Sequence, residues 1–196
     1  MAYDYNEAPT QRELIPHTIA TLAMHINAGG VGEDGMLTRS KDGRCEMLVC
    51  EFTVVDGKYK GRKVFEYWVL AGTTDGHAKA EEINRGRLRA ILESALGIKP
   101  KDTSPQAIAA RNAVSLKQFE GMTFIGEIGV EKGGPKKDGS GNWDDKNVLA
   151  GVITPDRNDW HPVEQPPPFN GGSGGAQTAP PSSVAPPVTR PDWAAS

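Results

Sequence analysis

Two stretches of alternation stand back to back between positions 46 and 70, and they leave little room for anything but a β-hairpin. In residues 46–55, Leu48, Cys50, Phe52 and Val54 fall on one side, the period of two that a half-buried strand requires. Asp56-Gly57 stops the run, and Lys58-Tyr59-Lys60-Gly61-Arg62 makes a turn rich in glycine and positive charge. Residues 63–70 then carry Phe65, Tyr67 and Trp68, rings that suit a pleated surface. Strands so close in sequence pair antiparallel.

The elements around this hairpin follow the same logic. Ala20, Leu22, Met24 and Ile26 alternate along a first strand that ends at Asn27-Ala28-Gly29-Gly30, and the glycine-rich stretch to Gly35 reads as a loop. After the hairpin, Ala80, Ile83, Leu88, Ile91, Leu92, Ala95 and Leu96 form one apolar stripe of a helix that Gly97 terminates. Gly86 inside that helix costs about 1 kcal/mol against alanine, which predicts a close approach there. Ser104 and Pro105 mark the N-cap and first position of a short helix running to about Ala113. A fourth strand occupies 122–130 and a fifth 148–153, separated by a mobile hairpin loop.

Three strands, a helix, then two strands is the order of a five-stranded antiparallel barrel of the oligonucleotide-binding (OB) type. The fold class expected is mainly β (α+β), with the helix between strands three and four. Closure would also dispose of exposed sheet edges. An open α+β sheet with the helix on one face fits the same pattern. The domain expected covers 14–161, between a polar arm (1–13) and a tail (162–196). From Glu164 onward, eight prolines and four glycines in 33 residues give a spacer composition that does not fold alone.

Composition excludes several functions. A formal charge of −3, from 22 Lys+Arg against 25 Asp+Glu, rules out a histone-like binder but not one whose bases gather on one face. No apolar run approaches the roughly 18 residues of a membrane span, and the N-terminus lacks signal-peptide character; the expected compartment is the cytoplasm. Cys45 and Cys50, five apart, point to opposite faces of one strand, which disfavours a disulfide. With His17, His25, His77 and His161 they make no zinc spacing, so neither metal nor other cofactor is expected. The chain holds no phosphate-binding G-x-x-x-x-G-K and no H-E-x-x-H pair, and its one G-x-S-x-G string, Gly171 to Gly175, lies in the spacer tail. Asp144-Asp145 reads as a solvated loop pair. The expectation is a protein that is not an enzyme.

Aromatics interleaved with bases give the stronger signal. Single strands are held by cations along the backbone and flat rings under the bases. Lys58, Tyr59, Lys60, Arg62, Lys63, Phe65 and Tyr67 lie within ten residues. Alternation puts Lys63, Phe65 and Tyr67 on one face and Val64, Glu66, Trp68 and Leu70 on the other. Either the first set is displayed as a stacking platform, or all three rings are core. Lys132, Lys136, Lys137 and Trp143 sit in the loop between strands four and five, a position that contacts oligonucleotides in OB folds. Asp192 and Trp193 near the end of the tail suit a partner's pocket.

The run Cys50 to Val64, a strand meeting a "DG-x-Y-x-GRK" turn, resembles a family of small phage and prophage proteins known as DUF669, a domain of unknown function. The arginine-bearing helix, the segment Phe119-Glu120-Gly121 and Lys146-Asn147 add to the likeness, which covers roughly residues 14–154. The resemblance implies an OB-like single-stranded DNA-binding protein of phage replication or recombination, working in the cytoplasm of a bacterial host. The alternative is an adaptor that recruits a replication or recombination enzyme, through the barrel or the tail. Sheet edges or the N-terminal arm would support a homodimer.

Overall fold

A computed structural model describes residues 13–112, 115–136 and 138–165. Six strands, β1 (Thr18–Ile26), β2 (Thr38–Arg39), β3 (Cys45–Val54), β4 (Lys63–Gly72), β5 (Thr123–Glu131) and β6 (Lys146–Val152), form one antiparallel sheet. Along the chain, α1 (Asp75–Leu96) and α2 (Pro105–Arg111) follow β4, and a 3-10 turn at Leu116–Phe119 leads into β5.

The central strand is β3. One of its edges carries β4 from Cys45 to Thr53. Its other edge is shared between β2, at Glu46 and Met47, and β1, from Cys50 to Val54. The far edge of β1 pairs with β5, and β5 with β6. The short β2 lies just beyond the expected loop: Val31 and Leu37 bridge across that loop before Thr38 joins β3.

The alternating residues meet where the sequence places them. Leu22, Met24 and Ile26 from β1, Leu48, Cys50, Phe52 and Val54 from β3, and Val64 and Trp68 from β4 are buried with Leu88, Ile91, Leu92 and Ala95 of α1. Each large side chain so enclosed contributes about 1.5–3 kcal/mol. Phe52 lies at their centre, 5.4 Å from the Trp68 ring and edge-on to Phe124 at 5.8 Å. Both distances suit tilted aromatic pairs.

Three local expectations are corrected. A bulge between Glu46 and Met47 resets the alternation, so Cys45 and Cys50 are both buried, as free thiols, instead of facing opposite ways. The helix stripe is only half covered: Ile83 and Leu96 are exposed, and Asn84 is buried in their stead with its amide donating to Val69 O at 3.0 Å. A Cβ added at Gly86 would touch nothing, so no close approach explains that glycine.

The start of α2 and the end of α1 are as read, and the cap of α1 is new. The Thr74 hydroxyl caps α1 by accepting from the His77 amide, Ser104 caps α2 through the Ala107 amide, and Gly97 ends α1 with φ 69°. Helix α2 stops at Arg111. There the Arg111 guanidinium donates to the buried Glu93 carboxylate at 2.7 Å and to Lys99 O and Asp102 O.

The sheet curls until β4 and β6 approach each other, but among the described residues no backbone ladder joins them. One side chain spans the gap. The Leu149 amide donates to Glu66 Oε1 at 2.6 Å, so a carboxylate stands where a neighbouring strand's carbonyl would be. The sheet therefore has six strands, not five, and is open at this seam. On the other flank, Gln165 donates to Ala95 O and Thr123 O, and Thr123 donates to Glu164 O, so the chain is held to the sheet beyond position 161. No helix among the described residues is long and apolar enough to cross a membrane.

Candidate nucleic-acid interface

The open seam is also a cleft of about 1260 Å³. One wall is β4 with Arg62 before it; the other is β6 with Asp144 and Asp145 before it, and Glu13 and Leu14 close one end. Polar contacts fix that end. The Asn147 amide accepts from Ile15 N at 2.9 Å and donates to Ile15 O at 2.7 Å, while Arg62 donates to Glu13 O.

Alternation along β4 decides what faces the cleft. Val64 and Trp68 point inward, which turns Phe65 and Tyr67 outward, 53% and 70% exposed. Across the ladder they stand beside Glu51 and Val49, with Lys63 beside Thr53. Large apolar rings left this open on one strand are uncommon on a surface without a ligand. Lys63, Phe65, Tyr67 and Arg62 thus share one wall.

The other candidates divide. Tyr59 is half-buried against the core, with Lys58 Nζ 5.2 Å from its ring centroid; Lys58 and Lys60 are exposed on the turn, outside the cleft lining. The loop after β5 is a paired hairpin: Pro135 bridges Asn142, Trp143 N donates to Gly134 O at 2.9 Å, and Lys132 binds Asp145 at 2.6 Å. Trp143 stands 64% exposed on it, with Lys136 Nζ 5.2 Å from its ring centroid. Lys137, Asp192 and Trp193 lie outside the described residues.

The electrostatics depart from the basic groove that the sequence suggests. The lining holds four cations, Arg62, Lys63, Arg87 and Lys146, against five anions, Glu13, Glu66, Glu131, Asp144 and Asp145. Lys63 pairs with Glu51 at 2.7 Å and Lys146 with Glu131 at 3.0 Å. Both lysines are well exposed, at 49% and 63%, and water screens a pair whose cation it reaches, so a phosphate can compete with the carboxylate.

Glu66 is the residue that the sequence reading passes over. Its side chain is 11% exposed. Besides the Leu149 amide it accepts from Trp68 Nε1 at 2.6 Å and Arg87 Nη1 at 3.1 Å. An acid at an inward position between Val64 and Trp68 is the visible signal, because a buried carboxylate needs donors. It fixes the edge of β4 and hence the platform beside it.

Among the described residues, no three His, Cys, Asp or Glu side chains gather as a metal site. Burial, reinforced by the Glu66 charge, pushes the Cys50 thiol well above its ordinary pKa, the opposite of an activated nucleophile. No family model, curated protein or solved structure matches this chain.

Proposed function

We propose that the protein binds single-stranded DNA without sequence preference, by stacking bases on Phe65 and Tyr67 in the cleft between β4 and β6. The observation that carries this reading is the joint display of the two rings, 53% and 70% exposed on one wall with Arg62 and Lys63. On this reading the curled sheet is an OB-like barrel with its last seam left open for the ligand, and α1 backs the core. The resemblance to phage proteins of the DUF669 type supports a role in phage DNA replication or recombination.

The test is fluorescence anisotropy with labelled oligo-dT at low salt. Each stacked ring is worth about 1–3 kcal/mol, so Phe65→Ala and Tyr67→Ala each weaken binding by roughly 5- to 150-fold. Both rings are exposed, so both variants keep the fold, checked by circular dichroism. No anisotropy change for the parent protein at low salt refutes the proposal.

A further inference from the structure

We infer that the cleft discriminates unpaired, stretched strands from duplex by two features together: the spacing of Phe65 and Tyr67, and opposite charge on its two walls. This rests on the reading just proposed. Phe65 and Tyr67 are two residues apart on β4, which at a strand rise of about 3.3–3.4 Å per residue separates their backbone positions by about 6.7 Å. Neighbouring bases in a duplex are 3.4 Å apart. Two consecutive bases reach both rings only if they are unstacked and splayed, which in a paired helix costs about a few kcal/mol per step.

The walls then set which way the strand lies. Arg62 and Lys63 stand at the start of the ring-bearing wall, and exposed Lys58 and Lys60 continue the positive charge along the turn. The facing wall carries Glu131, Asp144 and Asp145 against Lys146, with Lys132 beside Asp145, which leaves one acid in excess. Asp145 is committed to Lys132 and the Gly133 amide, and these donors hold its pKa below the ordinary carboxylate value. Its neighbour Asp144 is exposed. Charges within the Debye length of about 8–10 Å in physiological salt still act on one another, so phosphates placed near the second wall are repelled. A single strand avoids this by running its backbone along Arg62 and Lys63 with its bases turned to the rings. A duplex presents phosphates to both walls.

The inference fixes numbers for an experiment on the full chain with fluorescein-labelled oligo-dT and a labelled hairpin duplex, titrated from 20 to 200 mM NaCl. With two to four phosphates neutralised, the logarithmic salt slope is about −1.4 to −2.8, and the duplex binds at least tenfold more weakly. The double variant Glu131→Gln/Asp144→Asn tightens single-strand binding several-fold at 20 mM, steepens the slope and narrows the gap to duplex. Equal affinity of the parent for the two probes, or a double variant with unchanged slope and unchanged duplex affinity, overturns the inference while leaving the stacking proposal standing. Absence of binding to either probe removes both.

Discussion

Replacing Glu66 removes the one side chain that, among the described residues, hydrogen-bonds directly from β4 to β6. All three of its partners are donors: Leu149 N on Oε1, Trp68 Nε1 and Arg87 Nη1 on Oε2. Glutamine has nearly the same shape but only one accepting oxygen. Whichever way its amide turns, an NH2 group confronts at least one donor. Leaving a buried donor unsatisfied costs about 1–3 kcal/mol. The lost charge on Arg87 adds little, because that side chain is 38% exposed and water screens it. The sum for Glu66→Gln is about 2–3 kcal/mol. Glu66→Ala strands every donor and leaves a void, for about 3–4 kcal/mol. With a urea dependence of roughly 1.5 kcal/mol per molar, the glutamine variant shifts the unfolding midpoint down by about 1.3–2 M. Amide hydrogen exchange localises the effect: Leu149 N–H loses protection, while core amides of β3 change only with global stability. A midpoint within about 0.3 M of the parent and an unaltered Leu149 amide would refute the bridging role.

Four further outcomes follow from the packing. Gly86→Ala, in a helix interior with open space where the Cβ would go, stabilises by about 1 kcal/mol and raises Tm by about 2–4 °C, read by calorimetry. Asp34→Ala removes the acceptor for Met36 N, Ser115 Oγ and Leu116 N and lowers stability by about 1–2 kcal/mol in urea titration; no change would mean that this loop is not tied to the turn before β5. For pH, desolvation pushes the Asp34 carboxyl up, but the donors from Met36, Ser115 and Leu116 outweigh it and leave the folded pKa below the ordinary value. Its contribution is therefore complete above the unfolded carboxyl value of about 3.9 and is lost as pH falls through the lower folded value, so Asp34→Asn flattens the acid limb of the stability curve and spares the neutral range. Finally, Cys45 and Cys50 are buried, so a thiol reagent titrates neither in native buffer and both in 6 M urea.

What the sequence reveals and what it hides divides along physical lines. That Phe65 and Tyr67 share a face opposite Val64 and Trp68 is legible because β4 keeps its alternation and pairs with a strand only a turn away; which of the two faces is buried is decided by packing. Burial of Cys45 is not legible, since the bulge at Glu46 is decided by pairing with both β2 and β4. Two residues of β2 are too few to show a period. The charge balance of the cleft is hidden for a related reason: Glu131, Asp144 and Asp145 reach Lys63 and Arg62 only through the curl of the sheet, some seventy to eighty positions along the chain. Glu66 lies between these cases, visible as an oddity among inward residues, with partners on β6 and α1 that only packing identifies.

The hydrogen bonds that fasten Glu164 and Gln165 to Thr123 and Ala95 have a mechanical consequence. Tension applied to the chain after Gln165 is delivered first to the head of β5. That strand is ladder-bonded on both sides, to β1 and to β6, so the load spreads into the middle of the sheet. Pulling from this end should leave the cleft shut until the Gln165 clamp yields, and a single-molecule stretching trace would show that release as a small step ahead of the main rupture.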